Sequence, residues 1–97
     1  MATVEVITFK LKPGVDQDKF MHENQVVATE YTPKQPGFID RELGKGDEGE
    51  YVVVVHWEDT PSAEASMKIF PDDPTAQEFI SMMDMDTFRM VRYEVIG

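Results

Sequence analysis

Residues Thr3 to Lys12 alternate in polarity and are rich in β-branched side chains, then stop at Pro13-Gly14. A period of two ended by Pro-Gly predicts a strand running into a turn. From Asp16 the period lengthens: Phe20, Asn24, Val27, Ala28 and Tyr31 recur at spacings of three and four, which predicts a helix with Asp16 as N-cap, closed by Pro33 and Pro36-Gly37. Phe38 to Gly44 reads as a second short strand, and Lys45-Gly46-Asp47-Glu48-Gly49 carries the glycines and acidic turn formers of a hairpin loop. The third strand, Glu50 to Glu58, holds Tyr51-Val52-Val53-Val54-Val55, apolar at both phases of the alternation. Such a strand belongs in the middle of a sheet, covered on each face.

Thr60-Pro61 then predicts an N-cap followed by proline at the first helical position, opening a helix through Met67 to Phe70. Asp73-Pro74 repeats the device, and Ala76, Phe79, Ile80 and Met83 share one side of the segment it starts, so the two segments form one broken helical layer. Thr87 to Ile96 is the fourth predicted strand. The order β-α-β-β-α-β over residues 1–97 predicts a single α+β domain of ferredoxin-like type, a four-stranded antiparallel sheet with its helices on one face. Val52 and Val54 then point to the bare face, and the expected remedy is a homodimer packed sheet on sheet into a dimeric α/β barrel.

Composition narrows the partners. A chain of 97 residues buries only about 60 to 65% of the surface its unfolded form exposes, so its stability alone is thin. It has no cysteine, hence no disulfide, no thiolate metal ligand and no nucleophilic thiol. Nineteen acidic against nine basic residues give a net charge of −10, which repels phosphate backbones and anionic lipid, so neither nucleic acid nor membrane is an expected partner. The N-terminal stretch has a charge at Glu5 and no long apolar run, from which a cytoplasmic protein is expected.

Four segments carry a resemblance that spans nearly the whole chain: Val6-Ile7-Thr8-Phe9-Lys10-Leu11-Lys12-Pro13-Gly14, Gln35-Pro36-Gly37-Phe38-Ile39-Asp40-Arg41-Glu42-Leu43, Val54-Val55-His56-Trp57-Glu58-Asp59 and Asp73-Pro74-Thr75-Ala76-Gln77-Glu78-Phe79. In these the chain resembles the dimeric α/β-barrel superfamily, most closely the antibiotic biosynthesis monooxygenase-like (ABM) family. The resemblance implies a pocket between sheet and helices with a tryptophan late in the third strand, which Trp57 matches. It also implies cofactor-independent oxygenation of an aromatic or polyketide-like substrate. The family's oxygenases add an asparagine, a tyrosine and an arginine, and the matching positions here are Val53, Ala63 and Ile80. Haem-degrading relatives carry an axial histidine in the last helical segment, where Gln77 to Met83 has none, so no cofactor is expected. Stress-responsive barrel proteins resemble Phe9-Lys10-Leu11-Lys12-Pro13-Gly14-Val15 about as well, which implies the alternative of a non-catalytic, dimeric ligand-binding protein.

The residues themselves nominate a small apolar or aromatic ligand and few groups to meet it. Asn24 falls in the middle of the first helix's apolar stripe, where a buried amide without partners costs about 1 to 3 kcal/mol; it is either a pocket group or an amide capped by nearby backbone. Tyr31 shares that face and offers a phenol, the alternative being core packing with its hydroxyl at the rim. Trp57, on the strand face of Tyr51, Val53 and Val55, is pocket wall or simple core. His56 must point the other way; it is a candidate proton carrier or, more ordinarily, an interface histidine, and His22 falls on the solvated side of its helix. The acidic pairs Glu58-Asp59 and Asp72-Asp73 sit at helix N-termini, so no metal site is expected, and Gly44, Gly46 and Gly49 have acidic neighbours that would repel phosphate. Met82, Met83, Met85 and Met90 are core filler or the lining of an adaptable pocket.

Overall fold

In the computed structural model, which describes residues 1–97, the alternating segments pair into one antiparallel sheet of β1 (Thr3–Leu11), β2 (Phe38–Lys45), β3 (Tyr51–Trp57) and β4 (Met83–Glu94), in the order β2-β3-β1-β4. Helices α1 (Gln17–Val26), α2 (Thr60–Ile69) and α3 (Pro74–Ser81) cover one face, which makes the architecture ferredoxin-like. The valine run of β3 lies inside the sheet, as its two apolar phases require. Tyr51, Val53, Val55 and Trp57 face the helices and are buried, whereas Val52, Val54 and His56 face the uncovered side and are only half-buried.

Register turns the helix-facing side into a series of rows. Phe9 of β1 pairs with Tyr51, Ile7 with Val53, Glu5 with Val55 and Thr3 with Trp57. Beyond β3 the second of these rows continues to Leu43 and the third to Arg41; beyond β1 the third reaches Arg92. At the Phe9 end, Phe9, Phe20, Tyr51 and Phe79 close the core with ring centroids 4.9 to 6.2 Å apart, a spacing at which aromatic pairs attract.

The first helix, the cap of α2 and the last strand depart from the expected elements. The first helix is α-helical only to Val26, continues as one π turn over Val27–Tyr31, and ends in a 3₁₀ turn over Thr32–Lys34. β-branched residues Val26, Val27 and Thr29 crowd this turn, and the Thr32 hydroxyl donates to the Val27 carbonyl at 3.1 Å. The N-cap of α2 is Asp59, not Thr60: the Asp59 carboxylate accepts from the Ser62 amide at 2.8 Å, while the Thr60 hydroxyl is spent on Thr3 at 2.7 Å. Asp73 caps α3 in the same way, through the Thr75 amide at 2.9 Å. Hydrogen bonds from the Ser62 and Thr75 hydroxyls, and next from their amides, hold the Asp59 and Asp73 carboxyls below the ordinary aspartate range.

The last strand begins at Met83 rather than Thr87 and ends at Glu94. Its early residues pair with β1 across a register shift between Thr8 and Lys10, and Thr87 holds the irregularity together. The Thr87 hydroxyl accepts from the Lys10 amide at 2.8 Å and donates to the Asp84 carbonyl at 2.6 Å, replacing ladder bonds that the shift interrupts.

Gly37 and Gly14 both have positive φ, +83° and +82°, but differ in surroundings. A Cβ at Gly37 would lie 2.6 Å from Ser62 Cβ at the start of α2, whereas one at Gly14 meets nothing within 4 Å. Gly14→Ala is therefore expected to cost only the left-handed backbone penalty of about 1 to 2 kcal/mol. Gly37→Ala should cost that plus about 1 to 3 kcal/mol of overpacking, a difference that urea denaturation of the two variants would measure.

Candidate ligand-binding site

Beyond the aromatic plug, the space between sheet and helices is not filled. A cavity of about 170 Å³ lies over the Ile7–Val53 and Glu5–Val55 rows, with Trp57 at its far end. Val27 and Tyr31 wall it from the first helix, Met67 and Phe70 from the end of α2, and Phe79 and Ile80 from α3. The volume is near that of an apolar protein cavity known to take up one benzene ring, about 150 Å³. Its lining is mainly hydrophobic, with a few polar groups set among apolar walls, as small-molecule sites are generally built.

Tyr31 reaches the wall because the π turn ends on it. Its phenol donates to the Ser66 carbonyl at 2.9 Å and lies 3.0 Å from the Ser66 hydroxyl, so the group is tied to α2 instead of being free for a ligand. Burial pushes the phenol above its ordinary pKa, partly offset by the Ser66 hydrogen bond, and it stays neutral at physiological pH. Trp57 is 2% exposed, and its indole Nε1–H has no acceptor in the chain. Trp57 contributes to the cavity wall, and its unpaired donor carries a desolvation cost that nothing in the chain offsets.

Asn24 is buried, with Oδ1 lacking a partner, yet does not border the cavity. It shares the helical face of Tyr31 but stands seven residues before it, about 10 Å along the axis. The structure thus brings Tyr31 and Trp57 to one cavity and leaves Asn24 outside it. His56 is on the opposite side of the sheet, where its Nδ1 lies 2.6 Å from Asp40 Oδ1, so it shares no space with Trp57. His22 is exposed, and no cluster of three or more histidine and acidic side chains is arranged to hold a metal ion.

Two charged lining residues went unrecognised in the sequence. Glu5, 3% exposed, accepts from Arg92 Nε at 2.8 Å. Arg41 faces the cavity from β2, with its guanidinium 5.7 Å from the centre of the Phe79 ring and no carboxylate in contact. Burial alone lowers its pKa to about 10, which leaves it cationic at neutral pH. The missed signal was their phase: Glu5 shares the phase of Thr3, Ile7 and Phe9, and Arg41 that of Leu43, all on the covered face.

The antibiotic biosynthesis monooxygenase family model matches residues 2–80. The chain belongs to the antibiotic biosynthesis monooxygenase (ABM) family. Among solved structures, this ABM chain is similar to SnoaB from Streptomyces nogalater, a cofactor-independent oxygenase, in its N63A mutant form, with TM-score 0.78 and 16% identity over 99% of this chain and 94% of that one. It is similar also to a conserved protein from Methanosarcina mazei Go1, with TM-score 0.69 and 19% identity over 96% and 91% of the two chains. A third likeness is to a dimeric ferredoxin-like protein of unknown function from Jannaschia sp. CCS1, with TM-score 0.69 and 16% identity over 98% and 100%. At these identities the likenesses establish the fold alone. No curated protein matches the chain in sequence. No helix of this ABM chain is long and apolar enough to cross a membrane.

Because the Tyr31 hydroxyl is spent on Ser66, Tyr31→Phe should weaken folding more than it alters the cavity. The expected loss is about 0.5 to 1.5 kcal/mol, from one buried hydrogen bond removed while the Ser66 carbonyl keeps the Phe70 amide, measured as a lower midpoint in urea at unchanged slope.

Proposed function

We propose that this ABM-family protein binds a small aromatic molecule in the cavity beside Trp57 and oxygenates it without a cofactor, acting as a homodimer. The observation that carries this reading is an apolar cavity between sheet and helices, walled by the one tryptophan of the chain, whose indole N–H lacks an acceptor. In such a reaction the substrate, having given up a proton to solvent before it is enclosed, reacts as its carbanion and reduces O2 directly. One oxygen atom enters the product as a carbonyl and the other leaves as water. The chain's part is to hold the ring against Trp57 and to exclude bulk water.

A second reading, a non-catalytic ligand-binding protein of the stress-response type, has an observation of its own in its favour. Val53 and Ile80, where family oxygenases have polar groups, contribute only hydrocarbon to the cavity, and the Tyr31 hydroxyl is already engaged. Oxygen uptake with a panel of single- and fused-ring quinols and anthrones separates the two. Turnover that falls at least about tenfold in Trp57→Phe, a loss of about 1.4 kcal/mol in transition-state binding, supports the oxygenase. Ligand-dependent quenching of Trp57 fluorescence with no oxygen uptake from any substrate supports the binding protein.

The homodimer is supported by the uncovered sheet face, where Val6, Val52, Val54, Val91 and Tyr93 form one apolar strip across β3, β1 and β4. Val91 is 46% and Tyr93 55% exposed in the single chain, and contiguous exposed apolar side chains mark a surface suited to association. The Jannaschia relative is described as dimeric. Val54→Asp, which adds a carboxylate next to Glu42 in the same row, is expected to shift sedimentation from a dimer to a monomer mass at micromolar concentration. A monomer mass for the unaltered protein would refute the association.

A further inference from the structure

The row that crosses the cavity floor reads, from β2 to β4, Arg41, Val55, Glu5, Arg92. Its charges do not pair evenly. Glu5 is buried and bonded to Arg92 through Nε at 2.8 Å, so this carboxylate already has its cation. Arg41 lies two strands from Glu5, about 10 Å at the usual strand spacing, with Val55 between them. Across the row the sum is one uncompensated positive charge, on Arg41, in a chain whose net charge is −10.

The Phe79 ring does not discharge that charge. A ring face 5.7 Å away attracts the guanidinium through its quadrupole, but it accepts none of the five N–H donors in the guanidinium fork. No side chain or carbonyl of the chain receives a hydrogen bond from Arg41, whereas Arg89 and Arg92 both donate to oxygen. A guanidinium held largely out of water and without an acceptor loses solvation that nothing in the protein returns. Its fork geometry fits a carboxylate or another anionic oxygen.

We propose that Arg41 is the docking group for an anionic oxygen of the ligand, so that the cavity selects small aromatic acids over neutral aromatics of the same shape. The ring of such a ligand lies over Val55 between Trp57 and Phe79, with its oxyanion toward β2. Glu5 does not oppose the anion, because Arg92 neutralises it. This proposal rests on the cavity being a small-molecule site and adds the ligand's charge to that reading.

Calorimetric titration of the full chain with para-toluate and para-toluamide at neutral pH tests it with two single-ring probes of one shape that differ in charge. The unaltered protein is expected to bind the acid at least about tenfold more tightly than the amide, the gain from a charge-assisted hydrogen bond pair. Arg41→Met should abolish the preference, and Arg41→Lys, which keeps the charge without the fork, should retain part of it; circular dichroism melts check that both variants fold. Equal binding of acid and amide by the unaltered protein overturns the proposal while leaving the cavity a small-molecule site. A preference that survives in Arg41→Met also overturns it. If neither probe binds, the proposal and the small-molecule reading fall together.

Discussion

Strand β3 has valine at both phases of its alternation, and the rest of the molecule is arranged around that fact. A pleated strand presents successive side chains to opposite faces, so Val53 and Val55 and their neighbours Val52 and Val54 need separate cover. The three helices provide it on one side only. On that side the aromatic plug of Phe9, Phe20, Tyr51 and Phe79 packs densely, while the far end of the same layer stays open as the cavity. Packing and site are therefore two ends of one hydrophobic layer, and the other face of the sheet is left to association.

The same alternation that buries valines also buries charge. Glu5 and Arg41 stand at inward positions, where an apolar side chain would be cheaper by several kcal/mol if either charge were left alone. Glu5 is compensated within the chain by Arg92, and Arg41 is not. Polar groups retained against such a cost mark the places where a fold gives up stability, and here they border the cavity that Trp57 also walls. The π turn at Val27–Tyr31 belongs to the same set of local departures, since it ends on the tyrosine that seals the wall against α2.

The fold could be read from the sequence because its signals are short-range: the periods of two and of three to four, the Pro-Gly stops, and Asp-Pro before α3. What escaped was decided by contacts between distant segments. The early start of β4 depends on Thr87 bridging Lys10 and Asp84 across a register shift, and the choice of Asp59 over Thr60 as N-cap depends on Thr60 finding Thr3. In the site, Tyr31 and Trp57 were identifiable from their faces, but a helical wheel carries no depth, so Asn24 was placed with them although it stands two turns away. Glu5 and Arg41 were visible as charges in apolar phases of strands. Their meeting in one row depends on the order β2-β3-β1-β4 and its register, which single segments do not reveal.

The most direct test of this two-faced arrangement is nuclear magnetic resonance of valine methyl groups during titration with para-toluate. A ring seated in the cavity shifts nearby methyl resonances through its ring current, and these valines lie on known sides of the sheet. The expected result is that Val53 and Val55 move while Val52 and Val54 hold still. Equal movement of all four, or movement of Val52 and Val54 alone, would contradict the placement of the ligand between the sheet and its helices.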